Sequence, residues 1–114
     1  MVVKKLTILA ALVMTVCTGC GNSPTPDYPT NLNGTNGTSQ EYLGWSGVTG
    51  STGYNLYRGT FSGNLSSKTL IVSNTTDLRL MDATVTRGTH YYYQVTSINP
   101  GGESQPSHEI EVVP

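Results

Sequence analysis

The segment THYYYQVTSINPGGESQPS, residues 89–107, sets three tyrosines side by side in a chain of which only 11% of the residues are charged. An α-helix would spread Tyr91, Tyr92 and Tyr93 around its circumference, whereas a β-strand sends alternate side chains to opposite faces. As a strand, the segment points Tyr91 and Tyr93 to one face and Tyr92 to the other. This alternation indicates two tyrosines in a core and one on the surface.

The same period of two recurs along the chain, in short runs separated by glycine-rich turns. With 114 residues, the chain has room for one hydrophobic core. About seven short strands of this kind predict an all-β fold, an antiparallel β-sandwich or barrel. Besides the opening segment, such runs include residues 42–45, 54–58, 68–73, 78–81 and 108–113.

The N-terminus has the order of a secretory signal: Lys4 and Lys5, an apolar run over residues 6–16, and small residues at the end. An apolar run of about eleven residues is short of the roughly twenty that a membrane-spanning helix needs. The closing CTGC resembles the lipobox of bacterial lipoproteins, although Cys17 stands where leucine is usual. The resemblance implies that residues 1–19 are a cleaved lipoprotein signal peptide and that Cys20 carries the lipid, including an acyl chain such as palmitate.

Two other interpretations of CTGC stay open. The C-x-x-C spacing is that of a redox pair, but such a pair belongs at a helix start inside a folded domain. Cleavage by an ordinary signal peptidase would leave Cys20 as a lone thiol. A zinc site is not supported, because the chain has no second pair of cysteines.

Residues 20–28 read as the lipidated cysteine and a flexible, proline-containing tether, and residues 29–114 as the folded domain. The eight residues that follow Cys20 would extend about 25 Å from the membrane surface. Gly21, in place of an aspartate, favours sorting to the outer membrane if the cell has two membranes. We therefore expect a protein secreted across the cytoplasmic membrane and anchored by lipid.

The body resembles the fibronectin type III family. The resemblance rests on PTNL at residues 29–32, on Trp45 and Tyr54, and above all on residues 88–107, in which Ser97 replaces the usual alanine. It implies a seven-stranded, immunoglobulin-like β-sandwich in which strands A, B and E face strands C, C′, F and G. It also implies that Trp45 packs in the core without a disulfide beneath it.

The family pattern gives Tyr91 the tyrosine-corner position, with its hydroxyl bonded to the backbone of the preceding turn at residues 85–88. Tyr93 fills the same core two residues further on. The structural core is therefore expected to contain Trp45, Tyr54, Tyr91 and Tyr93.

Tyr57 and Tyr92 point away from this core on neighbouring strands, which predicts a small exposed aromatic patch. Such a patch can stack on a sugar ring or anchor a protein, because tyrosine combines a flat apolar ring with a hydroxyl. The alternative is a cross-strand pair that only stabilises the sheet, by a few tenths to about 1 kcal/mol.

No catalytic constellation is apparent in the sequence. The histidines, His90 and His108, are assigned to the surface, and Asp82, beside a turn, is expected to accept hydrogen bonds from nearby groups. The remaining carboxylates lie on separate strands and loops, so no catalytic pair is indicated. We expect no catalytic residues, no bound metal and no cofactor.

Charge narrows the choice of partners. Once the leader with its two lysines is removed, four basic and seven acidic side chains remain, a formal net charge of −3. Nucleic acid is a poor partner for such a surface, because it requires clustered cations. The sequence therefore predicts a non-enzymatic lipoprotein of the cell envelope, held by its lipid anchor, that serves as a protein-interaction or scaffold module. The alternative is a carbohydrate-binding module that uses Tyr57 and Tyr92.

Overall fold

The computed structural model describes residues 24–35 and 39–114, which form eight β-strands and one short 3-10 turn at Leu65–Ser67. In these ranges the three-residue turn is the only helical element, so no helix is long or apolar enough to span a bilayer. The predicted signal peptide and the predicted lipid-bearing Cys20 lie outside the described residues. The strands are β1 Asn33–Thr35, β2 Glu41–Gly44, β3 Gly53–Gly59, β4 Thr69–Thr75, β5 Arg79–Asp82, β6 Tyr91–Asn99, β7 Gly102–Glu103 and β8 Ile110–Val112.

The strands form two antiparallel sheets. One has three strands in the order β1-β2-β5; the other has the order β4-β3-β6, with β7 and β8 both paired to the far side of β6. Strands A, B and E of the predicted sandwich correspond to the three-stranded sheet, and C′, C, F and G to the five-stranded sheet. The predicted all-β sandwich is therefore confirmed.

The predicted run at residues 108–113 corresponds to β8, and β7 is an additional two-residue strand that the sequence did not predict. Pro106, between them, has no backbone N–H to donate to a ladder. The hydroxyls of Ser104 and Ser107 instead accept hydrogen bonds from the backbone N–H groups of Ser97 and Val95, each at 3.0 Å. These serines keep the segment between β7 and β8 attached to β6, and the additional strand brings the strand count to eight.

The core lies between the two sheets and is built from the inward half of each alternating strand. Tyr93, Val95 and Leu56 are fully buried, and Trp45 packs against Tyr54 with ring centroids 5.8 Å apart. Aromatic pairs at this separation gain energy beyond the area that they bury. The other buried hydrophobic residues are Leu32, Leu43, Val85, Tyr91 and Val112.

Two core tyrosines use their hydroxyls to hold loops. The hydroxyl of Tyr91 accepts a hydrogen bond from the backbone N–H of Thr86 at 2.7 Å, which is the tyrosine corner in the turn before β6. The hydroxyl of Tyr54 accepts hydrogen bonds from Val48 N and Ser51 Oγ, both at 2.8 Å, in the loop between β2 and β3. Each ring is buried, while its polar end fixes the backbone of a connection.

The described part of the predicted tether contacts the domain. Asn99 Nδ2 donates to the carbonyl oxygen of Pro24 at 2.9 Å, and Ser97 Oγ donates to that of Asp27 at 2.5 Å. Both donors lie near the C-terminal end of β6. The chain therefore enters the domain along this end of the five-stranded sheet.

Asp82, at the end of β5, joins the two sheets. Its Oδ2 atom accepts hydrogen bonds from Tyr93 Oη at 2.8 Å and from Arg58 Nη1 at 2.7 Å. Its Oδ1 atom accepts from the backbone N–H and the hydroxyl of Thr84. Tyr93 and Arg58 belong to the five-stranded sheet, so this carboxylate links one layer to the other. The expectation that Asp82 accepts hydrogen bonds from nearby groups is met.

The charge of Asp82 is maintained by these donors. Burial alone would raise the pKa of its carboxyl, but the hydrogen bonds from Thr84, Tyr93 and Arg58 outweigh burial and lower it. The pKa of Tyr93 is raised, first by burial and then by its hydrogen bond to this carboxylate. Because the folded-state pKa of Asp82 lies below its unfolded value, the carboxylate stabilises the fold at neutral pH.

Replacing Asp82 by asparagine should lower the free energy of unfolding at pH 7 by roughly 1.5 to 3 kcal/mol, as expected for losing hydrogen bonds to a buried charge. The difference from the parent should narrow as the pH falls below the ordinary carboxyl value of 3.8 toward the lowered folded-state pKa. Urea denaturation between pH 3 and 7 measures both quantities. Asp77→Asn, at an exposed turn, is the matched control; equal stability losses in the two variants would contradict the inter-sheet role.

Candidate functional site

The predicted aromatic residues Tyr57 and Tyr92 lie on the outer face of the five-stranded sheet. The register pairs Tyr57 of β3 with Gln94 of β6, and Gly59 of β3 with Tyr92 of β6. The two tyrosines therefore occupy diagonal positions, at which Cα atoms are about 7 to 8 Å apart. Both are half-buried, and each hydroxyl is bonded to a different carboxylate.

Tyr57 reaches across the sheet to Glu103. Its hydroxyl donates to Glu103 Oε2 at 2.5 Å, although β6 runs between the strands that carry the two residues. The Tyr57 side chain must therefore lie over β6 instead of standing away from the sheet. The same Glu103 oxygen also accepts hydrogen bonds from Asn55 Nδ2 at 3.0 Å and Thr96 Oγ1 at 2.5 Å.

These hydrogen bonds shift both pKa values in the directions that keep Glu103 ionised and Tyr57 neutral. Burial would raise the pKa of Glu103, but the donors Thr96, Tyr57 and Asn55 together lower it. The pKa of Tyr57 is raised by burial and by the neighbouring Glu103 carboxylate. At neutral pH the pair is a charged acceptor with a neutral donor, which is a stable cross-strand contact.

Tyr92 makes the equivalent contact with Glu111, its direct partner on β8. Its hydroxyl donates to Glu111 Oε2 at 2.8 Å, and His90 Nδ1 lies 2.6 Å from the same oxygen. The pKa of Glu111 is lowered by its hydrogen bonds with His90 and Tyr92, and the pKa of Tyr92 is raised by the bond to Glu111. His90 and His108 are both exposed, where the sequence analysis placed them.

A third carboxylate on this sheet holds the loop that follows β3. Glu109 accepts hydrogen bonds from Ser62 Oγ, from the backbone N–H of Gly63 and from Lys68 Nζ. The Lys68 side chain is fully buried beneath this contact, and its Nζ lies 2.5 Å from Glu109 Oε2. Glu103 thus contacts β3 and β6, Glu109 holds the loop after β3, and Glu111 contacts the start of β6.

Sequence reasoning missed Glu103 and Glu41 as structural residues. Glu103 lies in a short strand after a glycine-rich turn, and its partners come from two other strands, so no local pattern pointed to it. Glu41 is fully buried, and it alternates with Leu43 and Trp45 on the inward side of β2. That alternation was a signal that its side chain points inward.

The carboxylates of the described residues are occupied by contacts within the fold. Glu103, Glu109 and Glu111 are each bound by separate donors, and Asp82 is buried between the sheets. Within residues 24–35 and 39–114, no three histidine, cysteine, aspartate or glutamate side chains converge to hold a metal ion. What the outer face offers is a rigid surface of tyrosine rings and glutamate carboxylates.

The fold and its tyrosine corner define an immunoglobulin-like β-sandwich. No family model matches the sequence. A solved Fn3-like protein from Clostridium thermocellum is 32% identical, with a TM-score of 0.71, and the match covers 76% of this chain and 91% of that chain. The chain therefore belongs to the fibronectin type III family.

A second solved structure agrees on the fold alone. The FN1-FN3 domains of chicken CNTN1 match with a TM-score of 0.66 at 15% identity, covering 94% of this chain and 34% of that chain. The similarity thus extends to a distant protein with the same sandwich.

Curated relatives are much longer than this chain. An amylopullulanase of Thermoanaerobacter thermohydrosulfuricus is 39% identical over 94 residues, and one of Thermoanaerobacterium saccharolyticum is 36% identical over 90 residues. The matches cover 82% and 78% of this chain but only 6% and 7% of the relatives. This chain spans less than a tenth of the length of the curated relatives that it matches.

Replacing Tyr57 by phenylalanine should lower the free energy of unfolding by roughly 0.5 to 1 kcal/mol, because Glu103 loses one donor in a partly solvated position. Tyr92→Phe is the matched control, since Glu111 keeps its contact with His90 and water can replace the lost hydroxyl at this exposed position. Urea denaturation at pH 7 compares the two variants. A larger loss in Tyr92→Phe than in Tyr57→Phe would contradict the assignment of Tyr57 as a cross-strand tie.

Proposed function

We propose that this protein is a non-catalytic accessory module of the bacterial cell envelope. In this proposal a lipid on Cys20 holds the chain at the membrane, and the fibronectin type III domain binds an envelope protein or a glycan. The observation that carries the accessory role is the mismatch of lengths: most of this chain is similar to a segment that makes up only 5 to 7% of each amylopullulanase. A unit of this size within a large enzyme is an added domain.

The described side chains are consistent with a binding role. The carboxylates of the outer face are held by neighbouring donors, so they are rigid parts of a surface and not groups poised to exchange protons with a substrate. Interaction modules of this kind depend on a preformed surface, because rigid contacts cost less ordering entropy on binding.

The lipid anchor rests on the N-terminal sequence. Lys4 and Lys5, the apolar run and the cysteine after Gly19 follow the order of a lipoprotein leader. A thioether-linked diacylglycerol with an acylated amine gives several chains, and two or more chains anchor a protein firmly. Placement in the outer membrane, favoured by Gly21, applies to a cell with two membranes.

Glycan binding through Tyr57 and Tyr92 is the second candidate function. It is favoured by the similarity to amylopullulanases, whose name denotes enzymes that act on glucans. Both rings are half-buried, and their hydroxyls are already engaged with Glu103 and Glu111. In this candidate a sugar would stack on the ring faces, and the hydroxyls would not contribute.

The anchor is tested by mass spectrometry of the native N-terminus together with membrane fractionation. We expect the mature chain to begin at an acylated Cys20 and to sediment with membranes. Cys20→Ser should move the protein to the soluble fraction without changing its circular dichroism spectrum. Thr18→Ser, a conservative change beside the cleavage site, is the control and should stay membrane-bound. An unmodified cysteine, or a mature chain that starts elsewhere, would rule out the anchor.

A further inference from the structure

A groove of about 550 Å³ crosses the outer face of the three-stranded sheet, on the opposite side of the sandwich from Tyr57 and Tyr92. This volume lies within the roughly 300 to 1,000 Å³ of ordinary small-ligand sites. We call it the Gly44 groove. Its principal lining residues are Asn33, Tyr42, Gly44, Arg79 and Met81.

The floor of the groove is formed by Gly44 in the central strand. The register places Asn33 of β1 on one side of it and Arg79 of β5 on the other. A Cβ atom built on Gly44 would lie 3.7 Å from Asn33 Oδ1 and 3.6 Å from Arg79 Cγ, which is ordinary contact distance. The glycine therefore leaves a slot wide enough for a methyl group between a hydrogen-bond acceptor and the stem of a cationic donor.

One wall of the groove is aromatic and apolar. Tyr42 lies two residues before Gly44 on the same face of β2, and Met81 is its cross-strand partner. Their exposures are 52% and 53%, so both present apolar surface to solvent. Gln40 Nε2 donates to the Tyr42 hydroxyl at 2.6 Å, and this bond fixes the direction of the ring.

The opposite wall is polar and held in place. Asn31 has a left-handed backbone, with a φ of 58°, which asparagine tolerates better than most residues. Its Nδ2 donates to Ser46 Oγ at 2.9 Å, and Asn33 Nδ2 donates to the Asn31 carbonyl oxygen at 2.8 Å. These bonds use the amide nitrogens, and they hold the Asn33 side chain so that its Oδ1 lies beside the slot.

The two outer faces of the sandwich differ in how their polar groups are used. On the Tyr57 and Tyr92 face, each tyrosine hydroxyl is bonded to a glutamate. In the Gly44 groove, the Arg79 guanidinium has no hydrogen-bond or ion-pair partner among residues 24–35 and 39–114, and no carboxylate lines the site. The groove therefore brings together the oriented ring of Tyr42, the acceptor Asn33 Oδ1 and the guanidinium of Arg79, which is a donor without a partner among the described residues.

We propose that the Gly44 groove binds a neutral gluco-oligosaccharide, which specifies the ligand of the accessory module proposed above and rests on that function. A sugar presents an apolar ring face and hydroxyls that both donate and accept. Tyr42 and Met81 supply the apolar contact, Arg79 donates, and Asn33 Oδ1 accepts. The described domain has four basic and seven acidic side chains, and this excess of negative charge disfavours an acidic polymer or peptide.

The test is isothermal titration calorimetry of the full chain with maltoheptaose and, separately, cellohexaose, which distinguish α- from β-linked glucan. We expect binding of at least one of them. Tyr42→Ala, which removes the ring, and Gly44→Ala, which places a methyl group in the slot, should each weaken that binding roughly tenfold or more. Gly44→Ala is expected to fold, since a Cβ atom at Gly44 makes only ordinary contacts.

Tyr28→Ala is the matched control, because Tyr28 is 54% exposed and does not line the groove. It should bind like the parent, and circular dichroism checks that every variant is folded. Tyr57→Ser combined with Tyr92→Ser tests the second candidate function, in which the opposite face would bind the sugar instead of the groove.

Three results would overturn the inference. In the first, the groove variants bind the oligosaccharide like the parent, and the Tyr57 and Tyr92 double variant does not bind it. Another is the absence of binding to both oligosaccharides, and the third is binding of an acidic peptide at Arg79 in their place. The anchor measurements at Cys20 do not involve the groove, so failure of the glucan assay and failure of the proposed envelope function are separate outcomes.

Discussion

The buried carboxylate of Asp82 is the contact on which the arrangement of the two sheets depends. It is held by Tyr93 and Arg58 from the opposite sheet and by Thr84 from its own connection. A buried charge is costly unless several donors satisfy it, so this site accepts one relative placement of the layers. Hydrophobic burial alone tolerates many packings of similar volume, whereas these directional bonds select one.

The strand that carries Tyr93 also determines the outer surface. Because side chains alternate along β6, fixing Tyr91 and Tyr93 inward fixes Tyr92 outward, where it meets Glu111. Tyr57 lies over the same strand and is tied to Glu103. The hydroxyls of these tyrosines are therefore already used in hydrogen bonds within the domain. The three-stranded sheet has fewer such ties, and its central glycine leaves space for a ligand.

The local sequence pattern was sufficient to predict the fold and to predict which side chains point inward and which point outward. Period-two alternation, the tyrosine corner and the family motifs depend on neighbouring residues, and they predicted the sandwich and the inward direction of the Tyr91 and Tyr93 side chains. The partners of Tyr57 and Tyr92 depend on pairing between strands far apart in sequence, which no local pattern encodes. The Gly44 groove exists because Gly44, which lies between two edge strands, has no side chain. Its position between Asn33 and Arg79 can be recognised only when the strand register is known.

We assign the hydrogen-bonded tyrosines of the five-stranded sheet to stability and propose that the three-stranded sheet carries recognition. This division is tested most directly by two-dimensional ¹H–¹⁵N NMR of the full chain during titration with maltoheptaose. We expect shift changes concentrated in β1, β2 and β5, around Asn33, Gly44 and Arg79. Changes concentrated instead in β3 and β6, around Tyr57 and Tyr92, would contradict this division.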